Sequence, residues 1–227
     1  MRKRTRNRSA GFRAWLIIIA IVIAGSLAVE VTTSIIKTGF NVDNPASTYN
    51  CDVKWILRLK TTIEVEGDAI NGEVKGNFAY GLFKKVHDPL EFHDASGNLI
   101  AKASDVYHFI SQDDHCIVDS EDNVMAVMEG QFQLLGEKYK IYDAEKNYIG
   151  YLQVGMTSTY GGLYDVNGKL MATYKSHFLF KDFELTIDEE APLSDEAIIM
   201  LFASYYSDFD ADSSSGSGHS SSGKGSN

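Results

Sequence analysis

Positive charge is scarce once the first thirteen residues are passed. Those thirteen carry Arg2, Lys3, Arg4, Arg6, Arg8 and Arg13 and no acid, a local +6. The whole chain of 227 residues has a formal net charge of −10, so the remainder carries −16. Within that remainder Lys84-Lys85 is the only adjacent basic pair. So acidic a surface repels phosphate backbones and anionic head groups, which excludes nucleic acid as a partner. Cysteine is equally scarce: Cys51 and Cys116 are the only two, and in an oxidising compartment they allow one disulfide between the start and the middle of the domain. A buried apolar role suits each of them as well. There is no Gly-x-Ser-x-Gly elbow, no phosphate loop and no dinucleotide fingerprint, so the common nucleophile and nucleotide signatures are missing.

Charge is also absent from Ala14 to Val29, where the chain reads AWLIIIAIVIAGSLAV. Two readings fit this run. A signal peptide has a basic start, a short apolar core and small residues at its cleavage site, and Ser26-Leu27-Ala28 supplies that site, with cleavage after Ala28. A membrane anchor needs about 20 mostly apolar residues, which here means continuing through Glu30 and Val31 to Ile36. Apolar character does persist past Ala28, which favours an anchor over 14–36 with Trp15 at the near interface. A third reading, a basic tail before a soluble core helix, suits the unbroken apolar run poorly. In either membrane-directed reading the arginine-rich end stays in the cytoplasm and the rest crosses. The expected location is the cell membrane, single-pass with the domain extracytoplasmic, or secretion after cleavage at Ala28. The expected organisation is a basic N-terminus (1–13), an anchor (14–36), a polar linker (37–53), a folded domain (54–208) and a Ser/Gly-rich tail (209–227) with nothing to bury.

Inside the domain one pattern recurs four times: Phe92-His-Asp94-Ala-Ser-Gly97-Asn98-Leu-Ile-Ala101, then Ile117 to Ala126, Ile141 to Gly150 and Leu163 to Ala172. The aspartates Asp94, Asp119, Asp143 and Asp165 are 25, 24 and 22 residues apart. Such self-similarity marks a repeated supersecondary unit. Each copy reads as a β-hairpin: an apolar strand runs to the Asp, whose carboxylate can accept turn N–H groups, and the apolar run resumes. Further strand candidates are Lys54–Glu66, Val106–Ile110, Gln131–Leu135 and Leu152–Met156. A last hairpin would pair Phe178–Phe180 with Phe183–Ile187 across Lys181-Asp182. Then Ser194-Asp195-Glu196 provides a helix start, followed by AIIMLFASYY over 197–206. A helix apolar all round must be buried all round, and this one is too short to span a bilayer. A closed antiparallel β-barrel of ten or more strands, threaded by that helix, satisfies both demands.

Hairpins of the form apolar-x-Asp-x-x-Gly-x-apolar, notably Tyr139 to Asp143 and Gly162 to Lys169, followed by a hydrophobic C-terminal helix, resemble the tubby C-terminal-like superfamily. That group includes LURP-one-related proteins and phospholipid scramblases. The resemblance covers about Lys54 to Tyr206 and implies a twelve-stranded barrel around a central helix. It implies function less well. The domain lacks the basic patch of phosphoinositide binders, and its membrane segment is N-terminal where the scramblases have theirs at the other end.

Tests for chemistry return structural readings. His87 and His93 flank an acidic segment but match no zinc spacing. Asp113-Asp114-His115-Cys116 reads as a solvated turn before Ile117. Asp165-Val-Asn167-Gly168 begins like a calcium loop but continues Lys-Leu-Met. No catalytic, cofactor-binding or metal-ligating residues are therefore assigned, and no cofactor is expected. The expected function is a non-catalytic binding, sensing or scaffold module at the membrane, its protein or lipid partner unnamed. The alternatives are a lipid-binding or scramblase-like membrane lipid protein and, behind it, an enzyme whose residues come from scattered strands.

Overall fold

The structure, a computed structural model, describes residues 40–56, 60–77, 89–106, 114–131, 136–155, 159–176 and 182–214. Its strands are β1 (Pro45–Ile56), β2 (Lys60–Gly67), β3 (Gly72–Asn77), β4 (Leu90–Asp94), β5 (Leu99–Val106), β6 (Asp114–Asp119), β7 (Val124–Gln131), β8 (Glu137–Tyr142), β9 (Tyr148–Val154), β10 (Tyr160–Asp165), β11 (Leu170–Ser176) and β12 (Phe183–Asp188), followed by helix α1 (Asp195–Ser214). Every strand pairs antiparallel with its sequence neighbours, and β1 pairs with β12 to close the barrel. Among the described residues no helix is long and apolar enough to cross a membrane. The 14–36 segment lies outside them.

Alternation sets the walls. Along β1, Tyr49, Cys51 and Val53 are buried while Asn50, Asp52 and Lys54 are exposed, the period of two that turns alternate side chains inward. Eight strands enclose a space that side chains alone can fill, and diameter grows with strand number. Twelve strands therefore leave a lumen, and α1 occupies it. From Ala197 to Tyr206 every residue is at most 5 % exposed. The helix is off-centre, its backbone nearest β5, β6 and β7. On β5 and β7 the wall residues Ala101, Ala103 and Ala126 are small and buried, so the helix can approach closely. Large rings fill the wider side. Tyr174 of β11 stacks on Phe202 with ring centroids 5.7 Å apart and meets Tyr205 edge-on at 6.1 Å. Phe183 of β12 stacks on Tyr206 at 5.6 Å. Tyr139 of β8 meets Tyr205 edge-on.

Three details differ from the sequence reading, and a fourth expectation falls outside the described residues. Residues 45–53, read as linker, form most of β1; their outward polar residues disguise an inward apolar face. The helix continues to Ser214, through residues 209–214 that were read as tail. β12 pairs with β11, Ser176 opposite Phe183, and with β1; residues 178–180, expected to pair with it, lie outside the described residues. Asp114, His115 and Cys116 belong to strand β6 and not to a turn, and both Asp114 and His115 are buried. Asp113 lies outside the described residues.

Because Phe202 fills the gap between helix and wall, Phe202→Ala should lower the unfolding free energy by about 3–5 kcal/mol, read from denaturant titration. A loss under 1 kcal/mol would mean that the wall collapses into the space.

Candidate functional site

A connected group of polar chemistry lies on the rim that carries the hairpin turns and the start of α1. Four of those turns are built alike. In each, the Asp N–H donates to the carbonyl four residues on: Asp94 to Asn98 at 2.8 Å, Asp119 to Asn123 at 2.9 Å, Asp143 to Asn147 at 3.0 Å and Asp165 to Lys169 at 2.9 Å. The Asp carbonyl accepts from the residue three on, and that residue is in the left-handed region: Gly97 (φ 85°), Asp122 (65°), Lys146 (66°) and Gly168 (84°). Glycine suits the position because it has no Cβ to clash there. One carboxylate oxygen accepts the backbone N–H four residues on at 2.8–2.9 Å. The other takes the side-chain amide of Asn98, Asn123, Asn147 or Asn167. The amides of Asn98, Asn123 and Asn147, and for Asp165 the Lys169 backbone N–H, hold these carboxyls below the usual carboxylate range.

After each turn the register slips by one residue, leaving Ile100, Met125, Ile149 and Met171 as bulges. A bulge lets two successive side chains approach the same face. Met171 is buried, and Ile100, Met125 and Ile149 pack against the core from its edge.

A fifth copy escaped the sequence analysis. The Asp188 carboxylate accepts Glu190 N–H at 3.1 Å and its carbonyl accepts Ala191 N–H at 3.0 Å, the same turn, 23 residues after Asp165. That spacing was the available signal. Pro192 and the helix start replace the returning strand, and β1 supplies the missing partner: Asn44 N–H donates to Asp188 Oδ2 at 2.9 Å, and Glu189 N–H donates to the Asn44 carbonyl at 2.9 Å. The Lys169 ammonium lies 3.4 Å from Asp188 and 2.6 Å from Glu190. Burial alone would raise the Asp188 carboxyl; the Asn44 and Glu190 N–H groups and Lys169 outweigh it and hold it below the ordinary value.

Beside this seam the helix is latched. Ser194 caps α1, accepting from Ala197 N–H at 3.4 Å. The Asp195 carboxylate, in the first helical turn, accepts the Tyr49 hydroxyl at 2.5 Å and the Ser47 hydroxyl at 2.6 Å, both from β1. Burial and the Asp195 carboxylate both push the Tyr49 phenol up. Gly67 makes room for the Tyr49 ring, which a Cβ at that position would strike.

Elsewhere the candidates stay apart. Cys51 and Cys116 are both free thiols. Cys51 is buried against the core on β1, and Cys116 is half-buried on β6, whose ladder partners are β5 and β7. The two strands are not neighbours, so the disulfide allowed by the sequence is not formed. Burial pushes both thiols up. His93 lies 3.1 Å from Glu91 and 3.3 Å from the Gly97 carbonyl; His87 is outside the described residues. Asp114 accepts the Gly130 N–H at 3.1 Å. Among the described residues no three His, Cys, Asp or Glu side chains converge as a metal site requires. The outer tyrosines use one another: Tyr151 stacks on Tyr164 at 4.9 Å beneath the Lys138 ammonium, and Tyr142 meets Tyr148 edge-on.

No protein-family model matches the chain, and no curated protein matches it. Among solved structures, the X-ray structure of a protein from Arabidopsis thaliana is similar at 12 % identity and a TM-score of 0.32, over 72 % of this chain and 91 % of that one.

Two outcomes test the rim. Tyr49→Phe removes one of two donors to a carboxylate and should cost about 1.5–3 kcal/mol of stability by denaturant unfolding; an unchanged midpoint would mean that Ser47 alone holds Asp195. The five turn carboxyls are lowered in the folded state, so their stabilisation is complete above the unfolded carboxyl value of about 3.9 and disappears as pH falls through the folded values. Thermal midpoints should therefore drop steadily below about pH 4, and less steeply in Asp188→Asn, which starts lower at neutral pH.

Proposed function

We propose that this chain is a membrane-tethered, non-catalytic module that binds or scaffolds a partner through the outside of its barrel. The filled interior is the observation that carries this reading. Residues 197–206 occupy the lumen and are buried on every side, so among the described residues helix side chains fill the space in which other β-barrels hold a ligand. Carriage of a lipid inside the barrel fits this packing poorly, and a lipid-related role would have to use the outer wall or a rim. The same architecture, twelve strands closed around a C-terminal helix, supports distant membership of the tubby C-terminal-like superfamily. Fold alone does not select an activity within it. The tether rests on the apolar segment 14–36, and the extracytoplasmic placement on the arginine cluster before it.

Protease treatment of intact cells, read with the mass of the native chain, tests this. A full-length, membrane-bound protein whose barrel is digested from outside is the expected result. A soluble chain beginning at Val29 would make it a secreted protein, and a barrel protected until lysis would reverse the topology.

A further inference from the structure

In so acidic a domain a lysine has carboxylates within reach, and several lysines take one. Lys54 pairs with Glu64, Lys75 with Glu73, Lys102 with Asp122, and Lys169 with Asp188 and Glu190. Lys138 and Lys140 do not. Tyr139 and Ile141 of β8 are buried in the core, so Lys138 and Lys140 stand on the outer wall. Both are partly exposed, and among the described residues neither pairs with a carboxylate. Their ladder neighbours are Gln131 and Gln153 for Lys138, and Glu129 and Tyr151 for Lys140. Two contacts keep the pair open. The Lys138 ammonium rests 3.8 Å from the centre of the Tyr151 ring, and Tyr151 is itself stacked on Tyr164. Glu129, the carboxylate opposite Lys140, accepts the Tyr142 hydroxyl at 2.8 Å instead.

On the reading above that recognition uses the outside of the barrel, we propose that Lys138 and Lys140 form the docking face for an acidic protein segment. That segment is extended and carries carboxylates at every second residue. Charge complementarity sets the sign of the partner: two ammonium groups without carboxylates attract them. Screening over about 8 Å at physiological salt lets this local charge outweigh the acidity of the rest of the domain. Spacing sets the form of the partner. Residues two apart on a strand are about 6.6 Å apart, and an extended segment repeats with the same period, so alternate acids meet both lysines together. Because β8 already pairs with β7 and β9, the segment contributes side chains and adds no strand to the sheet. A narrow partner suits this wall better than a broad anionic surface. A membrane laid here would also meet Asp143 and Glu145 in the next turn, whereas a single chain along β8 meets Glu129 alone. The ammonium already held over Tyr151 has less freedom to lose on binding.

The experiment uses the full-length chain in neutral detergent and two fluorescent peptides of equal charge, read by anisotropy. One peptide alternates Asp with Ser; the other carries the same residues in two blocks. The alternating peptide should bind the more tightly. Lys138→Gln combined with Lys140→Gln should weaken that binding by about fivefold or more, with an unchanged unfolding midpoint. Lys54→Gln, which removes a paired lysine of β1, should leave the affinity as it was. Tyr142→Phe should weaken binding as well, because Glu129 is then released toward Lys140. Equal affinity for the two peptides would overturn the register. Binding that survives the double substitution would move recognition to another part of the wall and overturn this face alone. No binding of either peptide would overturn the acidic partner. Displacement of the labelled peptide by phosphatidylserine in the micelles, at lower concentration than by unlabelled peptide, would give the face to a lipid surface and overturn the protein segment. The protease test of topology reports on tether and placement independently of all these results.

Discussion

The constraint on which the rest of this molecule depends is volume. A barrel of twelve strands encloses more space than wall side chains can fill, and a ten-residue run without a polar face has no stable place in water. Each problem is the solution of the other. The walls are adapted to the guest: alanines on β5 and β7 where the helix backbone comes near, rings on β8, β11 and β12 where it stands off. Neither part has a core without the other, so closure of the β1–β12 seam and burial of α1 belong to one cooperative event. The latch from Tyr49 and Ser47 to Asp195 sits where seam and helix meet. It links the first strand to the helix across 146 and 148 residues of sequence, and so fixes the depth at which the helix seats.

The repeated turn does a different job. Because side chains alternate with a period of two, a slip of one residue would turn every apolar side chain outward. The Asp carboxylate, by gathering N–H groups from two and four residues ahead, holds the turn in one geometry and the following bulge in one place. Repetition of that device four times keeps consecutive hairpins in phase. In the fifth copy the device is reused to end the sheet: Asp188 makes the turn, but the strand that would return is replaced by Asn44 from the far end of the chain. One sequence motif thus both propagates the barrel and closes it.

Much of this was legible in the sequence, and the parts that were not share a cause. Local chemistry shows plainly: the aspartate hairpins carry their own turn residues, and the 197–206 run declares its burial by having no polar face. Long-range pairing does not show. β1 was hidden because Asn50 and Asp52 face solvent and give residues 45–53 the look of a linker, while Tyr49, Cys51 and Val53 acquire meaning only once β12 and β2 are beside them. The fifth Asp was passed over because no apolar strand follows it. The 209–214 end of α1 reads as tail because its acids and serines are poor helix formers, yet it continues a helix already nucleated inside the barrel. Asp195 was recognised as a first-turn acid suited to the helix dipole; that its carboxylate also receives two hydroxyls from β1 is a fact of closure and not of local sequence.

A filled barrel also constrains where recognition can occur. In the interior, the Tyr49 phenol is committed to the latch and the Tyr174 ring to packing on the helix. On the wall, Tyr151 and Tyr164 cover one another's faces, and rings already stacked on neighbours have less free surface for a planar ligand. The turn carboxylates are engaged by their own N–H and amide donors, so although they make the rim acidic, their lone pairs are largely spent within the turns. What such a rim can exert at a distance is charge, and charge acts through orientation and repulsion more than through a fitted contact.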